Sequence, residues 1–118
     1  MIIFVLLFYY SSFPDIYFME FTDLKAVEIE RAATMLKAIS HPMRLAILGY
    51  LSDGNKLNVT EIHELLGIEQ STASHHLGIL KDKGILASER QGKNSHYYLK
   101  RKNLSQLVSC ISQCACTD

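Results

Sequence analysis

Before residue 110 this chain of 118 residues contains no cysteine, and it has only six glycines and two prolines. So few breakers leave little room for an irregular fold and favour a helical one. Neither sign of charge is in excess: 12 Lys and Arg balance 12 Asp and Glu. On that total alone a nucleic-acid partner is not expected. No apolar run approaches the roughly 20 residues that a membrane helix needs. Ile2 to Tyr10 is apolar for nine residues, and no Lys or Arg precedes it as a signal peptide requires, so a membrane is not an expected partner. There is no Gly-rich phosphate loop, no carboxylate pair, no internal repeat and no low-complexity tract. The thiols stand far along the chain from every histidine, so an enzyme is not expected.

The charge is unevenly spread. Residues 70–102 hold seven Lys or Arg against Asp82 and Glu89, a net of +5; residues 1–69 hold five against nine, a net of −4, and Asp118 adds −1. Because screening limits each charge to about 10 Å at ordinary salt, a basic module can attract phosphates on a neutral protein. The same stretch has a recognisable order of elements. Asn58-Val59-Thr60-Glu61 has the form of a capping box and predicts a helix start, with Ile62, Leu65 and Leu66 as its buried stripe and Gly67 as its exit. After the turn Gly67-Ile68-Glu69, a second helix is expected from about Gln70 to Lys83. Ala73, Leu77 and Leu80 point inward, and Gly84 stops the helix. Gln70, Ser71, Thr72, Ser74 and His75 make its first turns polar, and the leading end of such a helix is the part that reaches base edges and phosphates in a major groove. Ile85 to Arg90 and Ser95 to Lys100 have strand character around the polar turn Gln91-Gly92-Lys93-Asn94, which fits a hairpin with Arg90 and Lys93 at its tip.

The rest of the chain suits one domain that completes its core by pairing. Leu24 to Ile39 predicts a long amphipathic helix with Ala26, Ile29, Ala33, Leu36 and Ile39 on the buried side. Pro42 opens another, with Leu45, Ile47, Leu48 and Leu51, ending near Asp53-Gly54. A last helix is expected from about Lys102 to Ala115, its stripe formed by Leu104, Leu107, Val108 and Ile111. The domain is taken as residues 20–118. Residues 1–19 are expected to be an extension from an upstream start codon or else a disordered or interface-covering arm. His41, before Pro42, is a structural lead-in, and His63 has no partner in the pattern. His75 and His76, adjacent on a helix, diverge by about 100° and cannot both face a groove, so His76 is expected to pack or hydrogen-bond internally.

These residues resemble the ArsR/SmtB family of bacterial winged-helix repressors over about residues 24–114. The likeness rests on Ile39-Ser40-His41-Pro42-Met43-Arg44-Leu45-Ala46-Ile47-Leu48, on Gln70-Ser71-Thr72-Ala73-Ser74-His75-His76-Leu77, on Lys83-Gly84-Ile85-Leu86, and on Arg90-Gln91-Gly92-Lys93 followed by Tyr97-Tyr98-Leu99. It implies a mostly α, winged helix-turn-helix fold with a two-stranded hairpin wing. It also implies a cytoplasmic homodimer, formed through the first and last helices, on a double-stranded inverted-repeat operator until an inducer releases it. Ser71, Thr72, Ser74 and His75 match DNA-reading positions and Arg90 and Lys93 match the wing. No cofactor is needed for DNA binding.

Cys110, Cys114 and Cys116 are all the thiols the chain has, and they lie within seven residues. Cys110 and Cys114 are one turn apart on a helix face, and Cys116 can fold back if the helix frays near Ala115, which would offer three soft donors to one ion. Trivalent arsenic or antimony accepts three thiolates, whereas zinc wants a fourth ligand, and only terminal Asp118 is near in sequence. Two other readings stay open: a redox or sulfide switch between two thiols, and small buried hydrophobes in a dimer interface. The chain departs from two family patterns, with no cysteine between Val59 and Leu66 and no Asp, His or Glu ligand set on the last helix.

Overall fold

A computed structural model describes residues 25–116. In chain order these form α1 (Ala26–Ile39), α2 (Pro42–Leu51), β1 (Leu57–Asn58), α3 (Val59–Leu66), α4 (Gln70–Asp82), β2 (Leu86–Gln91), β3 (Asn94–Leu99) and α5 (Leu104–Cys116). The extension expected at residues 1–19, the start of the first helix at Leu24, and Asp118 lie outside the described residues. The chain divides into two compact units, and the larger begins at Lys37. Most of α1 belongs to the smaller unit. Glu28 in its first turn and Lys37 in its last complement the helix dipole. Leu36, expected on the buried side, is instead 54% exposed, as is Val27 at 56%. Periodicity puts Leu36 on the apolar face of α1, but it does not decide whether that face is covered.

In the larger unit, local chemistry sets where each helix starts and stops. Pro42 occupies the first turn of α2, and the His41 side chain caps it, its Nδ1 accepting from the Met43 amide at 3.1 Å. The helix ends at Leu51, where Ser52 donates from both its amide and its hydroxyl to the Gly49 carbonyl. The capping box of α3 is fully formed: Asn58 Oδ1 accepts from the Glu61 amide at 2.8 Å, and Glu61 Oε1 accepts from the Asn58 amide at 3.0 Å. Gly67 then leaves the helix in the left-handed region at φ 67°. Of the stripe expected on α3, Ile62 is fully buried but Leu65 is 49% exposed, because an eight-residue helix covers the core with a strip narrower than its apolar face.

Ile47, Leu48 and Leu51 of α2, Ile62 of α3, Ala73, Leu77 and Leu80 of α4, and Ile85 and Leu86 at the start of the hairpin form one core without accessible surface to speak of. Burying a Leu or Ile side chain stabilises the fold by about 1.5–3 kcal/mol before entropy is subtracted. The sheet has the order β1-β3-β2, all antiparallel. Its third strand, β1, was not expected: two residues pair Leu57 with Tyr97 and Asn58 with His96 and tie the start of α3 to the hairpin. Gln91 pairs with Asn94, so the hairpin turns on Gly92 and Lys93 alone; Gly92 has φ 64° while Lys93 does not enter positive φ, the pattern of a type II′ turn. α5 starts at Leu104, two residues later than expected, and packs on α2. None of its side chains is fully buried, and Ile111 is 46% exposed.

Candidate nucleic-acid interface

Burial divides α4 into two faces. Ala73, His76, Leu77 and Leu80 recur at three- and four-residue spacing and are buried. Gln70, Ser71, Thr72, Ser74 and His75 are all exposed. Ser71, Ser74 and His75 share the i, i+3, i+4 spacing of one helical face. The N-cap residue, Glu69, makes no side-chain cap hydrogen bond to the first amides of α4. A short polar side chain with both donor and acceptor can meet a base edge or a phosphate, and this face presents five such residues in its first two turns.

The turn before α4 is clasped twice. The Ile68 amide donates to the His63 carbonyl, and His63 Nδ1 lies 3.1 Å from the Ile68 carbonyl, to which it donates. His63, unassigned from sequence, therefore fixes the angle between α3 and α4, a role its isolation in the pattern concealed. His76 does what was expected of it: 7% exposed, its Nδ1 accepts from Arg44 Nε at 3.3 Å.

The hairpin packs beside α4 through β2. Lys93 stands exposed at the tip, and exposed Arg90 folds its Nε toward the Gly92 carbonyl at 3.4 Å, which shapes the turn while the rest of the guanidinium stays free to face solvent. Glu89 is the one acid on the two wing strands. Lys56 binds it at 3.0 Å, and hydrogen bonds from Lys56 first and Gln91 second hold its carboxyl below the usual range. The wing's negative charge is thus answered by a lysine from the loop before β1, and among the described residues no acid pairs with the basic tip. Lys56 also lies 5.0 Å from the centroid of the Tyr98 ring.

The cysteines are placed differently from the expectation. All three are exposed and none is in a disulfide. The helix does not fray near Ala115 but continues through Cys116, which turns that residue about 200° from Cys114 instead of folding it back. Cys110 and Cys114 share a face, but Cys110, Cys114 and Cys116 do not converge. Among the described residues no group of three His, Cys, Asp or Glu side chains could hold a metal ion. Cys110 lines an open cleft of about 720 Å³ between α2 and α5 together with Ser52, Asp53 and Ser109. Asp53, an oxygen donor far from the cysteines in sequence, was missed because only the packing of α5 on α2 brings it there.

Comparison with known proteins agrees with this architecture. Residues 39–89 match a helix-turn-helix domain family. The chain is 32% identical over 97 residues to the HTH-type transcriptional regulator YgaV of Escherichia coli, covering 82% of this chain and 97% of that protein. It is 36% identical over 86 residues to the biofilm growth-associated repressor of Xylella fastidiosa, covering 73% and 75%. Among solved structures, it is similar to the homodimeric winged helix-turn-helix DNA-binding domain of a possible ArsR-family regulator from Mycobacterium bovis. The TM-score is 0.70 and the identity 27%, over 76% of this chain and 82% of that one. Among the described residues no helix is long and apolar enough to cross a membrane. With its helix-turn-helix, its hairpin wing and these relatives, the chain belongs to the ArsR/SmtB family of winged helix-turn-helix transcriptional regulators.

Proposed function

We propose that this protein is a homodimeric, sequence-specific repressor. It places two copies of α4 in successive major grooves of an inverted-repeat operator, with Arg90 and Lys93 of each wing on the flanking phosphates. The observation that carries this is the exposed face of Gln70, Ser71, Thr72, Ser74 and His75, backed by a fully buried one and set beside a basic hairpin tip. Half-sites one turn apart require the two helices to stand about 34 Å from each other, and the apolar stripe of α5, half covered at Leu104, Leu107 and Val108 and exposed at Ile111, supplies a surface for the pairing. Salt is a direct check, since affinity for DNA must fall steeply as ionic strength rises.

An inducer at the α5 thiols releases the operator. A thiophilic metalloid, As(III) or Sb(III), binds Cys110 and Cys114, and its third sulfur comes from Cys116 once the last turn unwinds. The separation of Cys116 from the other two favours a second reading, in which the helix opens between Cys110 and Cys114, whose Cβ atoms one turn apart are too far for a bridge, and the two thiols lose two protons and two electrons to an oxidant and join as a disulfide. Either event on the helix that pairs the subunits would tilt the α4 helices away from register and weaken DNA binding by about 5- to 150-fold, the range of a typical coupling. The test is a mobility-shift titration on the DNA upstream of its own gene with As(III), Sb(III), Cd(II), Zn(II) and an oxidant in parallel. Cys110→Ser with Cys114→Ser should abolish the response and spare DNA binding. Release by none of the five would remove the sensor and leave the repressor.

A further inference from the structure

Arg44 makes the polar link between the recognition helix and the rest of the core. From α2, its Nη1 donates to the Ala38 carbonyl at 2.9 Å, and its Nε donates to His76 Nδ1 at 3.3 Å. Ala38, 5% exposed, lies in the last turn of α1, whose carbonyls have no partner within the helix, and His76, 7% exposed, is on the inner face of α4. One planar guanidinium thus closes the end of one helix and holds another. We propose that Arg44 is a positioning residue for the recognition helix, bracing α4 against the junction of α1 and α2 through His76, and that the brace holds only while the lone pair on His76 Nδ1 is free. The inference rests on α4 being the element that reads DNA.

Three features support it. His76 directly follows His75, the last residue of the exposed polar face, so a shift of the brace reaches that face through a single helical step. The bond is directional, because Nδ1 accepts from Arg44 and the imidazole proton must therefore sit on Nε2. A proton added to Nδ1 would set N–H against N–H in a site where a lost acceptor is costly. Finally, the surroundings keep that nitrogen unprotonated. Burial first, then the charges of His41 and Arg44 from the start of α2 and of His75 on α4 itself, hold His76 below the ordinary imidazole value of 6.5; α3 and β2, also packed on α4, add no charge that acts on it. The His41 ring centroid is 4.7 Å away and that of His75 5.9 Å. A folded value below the unfolded one fixes the sign. The brace contributes fully above pH 6.5 and is lost as pH falls through the lowered value.

Imidazole nitrogen NMR on the full native chain tests the brace without DNA. Near pH 7.5 His76 should carry its proton on Nε2, and acidification until its imidazole nitrogens themselves shift should move the amides of residues 70–75 with the same midpoint as His76. His76→Gln, whose side-chain oxygen can accept from Arg44 but does not titrate, should abolish that movement. In a second arm, anisotropy with a labelled duplex from upstream of its own gene should show the native protein losing about five- to tenfold more affinity over this pH range than His76→Gln. Arg44→Lys, a point charge that cannot hold both acceptors in one plane, should lose a similar factor already at pH 7.5. His75 is kept in every variant, so its own contribution cancels. A proton on Nδ1 in the native protein, amides on α4 that stay still as His76 titrates, or identical pH profiles for native protein and His76→Gln would each overturn the inference. If the duplex is bound at no pH, the proposed function fails, and the NMR arm still decides the brace. If His76→Gln does not fold, the native titration decides alone.

Discussion

α4 and α5 are helices of equal length, 13 residues each, yet they end in opposite conditions. α4 buries four side chains, Ala73, His76, Leu77 and Leu80, and leaves only short polar groups in its exposed leading turns. α5 is the more continuously apolar helix and buries none; Leu104, Leu107 and Val108 are half covered and Ile111 is 46% exposed. One chain therefore completes the packing of α4 and leaves that of α5 incomplete. A surface made ready for DNA needs its packing complete before DNA arrives, because each misplaced contact weakens readout. An apolar face left open suits a pairing surface, since the core of a homodimer interface is more apolar than the rest of a protein surface.

The largest effect should fall on the finished helix. Leu77→Ala removes a fully buried side chain and should cost about 2–5 kcal/mol of stability, seen as a lowered denaturant midpoint with an unchanged slope. A loss under about 1 kcal/mol would mean that α4 is not held by the core as described. Next comes the unfinished helix. Ile111→Asp, at an exposed site, should change the stability of the isolated protomer by no more than about 0.5 kcal/mol. It should raise the dimer dissociation constant on the order of tenfold or more, read by sedimentation, because a charge is then buried against apolar neighbours. Were Leu77→Ala and Ile111→Asp to act alike on both measurements, the contrast between the two helices would be lost.

What the amino-acid order discloses follows the same division. The boundaries of α2, α3 and α4 were legible because their signals are local: Pro42, the Asn58 and Glu61 pair, Gly67 and Gly84 act within one turn of the chain. The polar face of α4 was legible too, since helical periodicity separates it from Ala73, Leu77 and Leu80. Periodicity says which face is apolar but not whether anything covers it, which is why Leu36 and Leu65 were expected buried and stand exposed. Long-range features were hidden for a different reason. β1 is two residues whose partners, His96 and Tyr97, lie on β3, and no alternation develops in so short a strand. Arg44 and His76 are 32 positions apart, and Asp53 meets the cleft beside Cys110 only after α5 packs on α2. Whether Cys116 stands with Cys110 and Cys114 depends on whether the last turn is wound, which the order of residues does not decide.

The smallest effect separates the two parts of the proposed DNA surface. Lys93 is exposed at the turn of the hairpin and has no ion-pair partner among the described residues, so its substitution changes no packing. Ser74 lies on the α4 face that base edges would meet. Lys93→Ala should weaken binding by a similar few-fold factor on every duplex, because a phosphate contact carries no sequence information. A dimer loses two such contacts, and each neutralised phosphate contributes about 0.9 to the slope of log affinity against log salt, so the slope should flatten by about 2. Ser74→Ala should leave that slope unchanged and alter the ranking among duplexes that differ at single positions of the half-site. Measured together over a salt series on several duplexes, the two variants assign charge to the wing and discrimination to the helix. A Ser74→Ala protein with the native ranking would move base reading elsewhere on α4, and an unflattened slope for Lys93→Ala would take the wing tip off the phosphates.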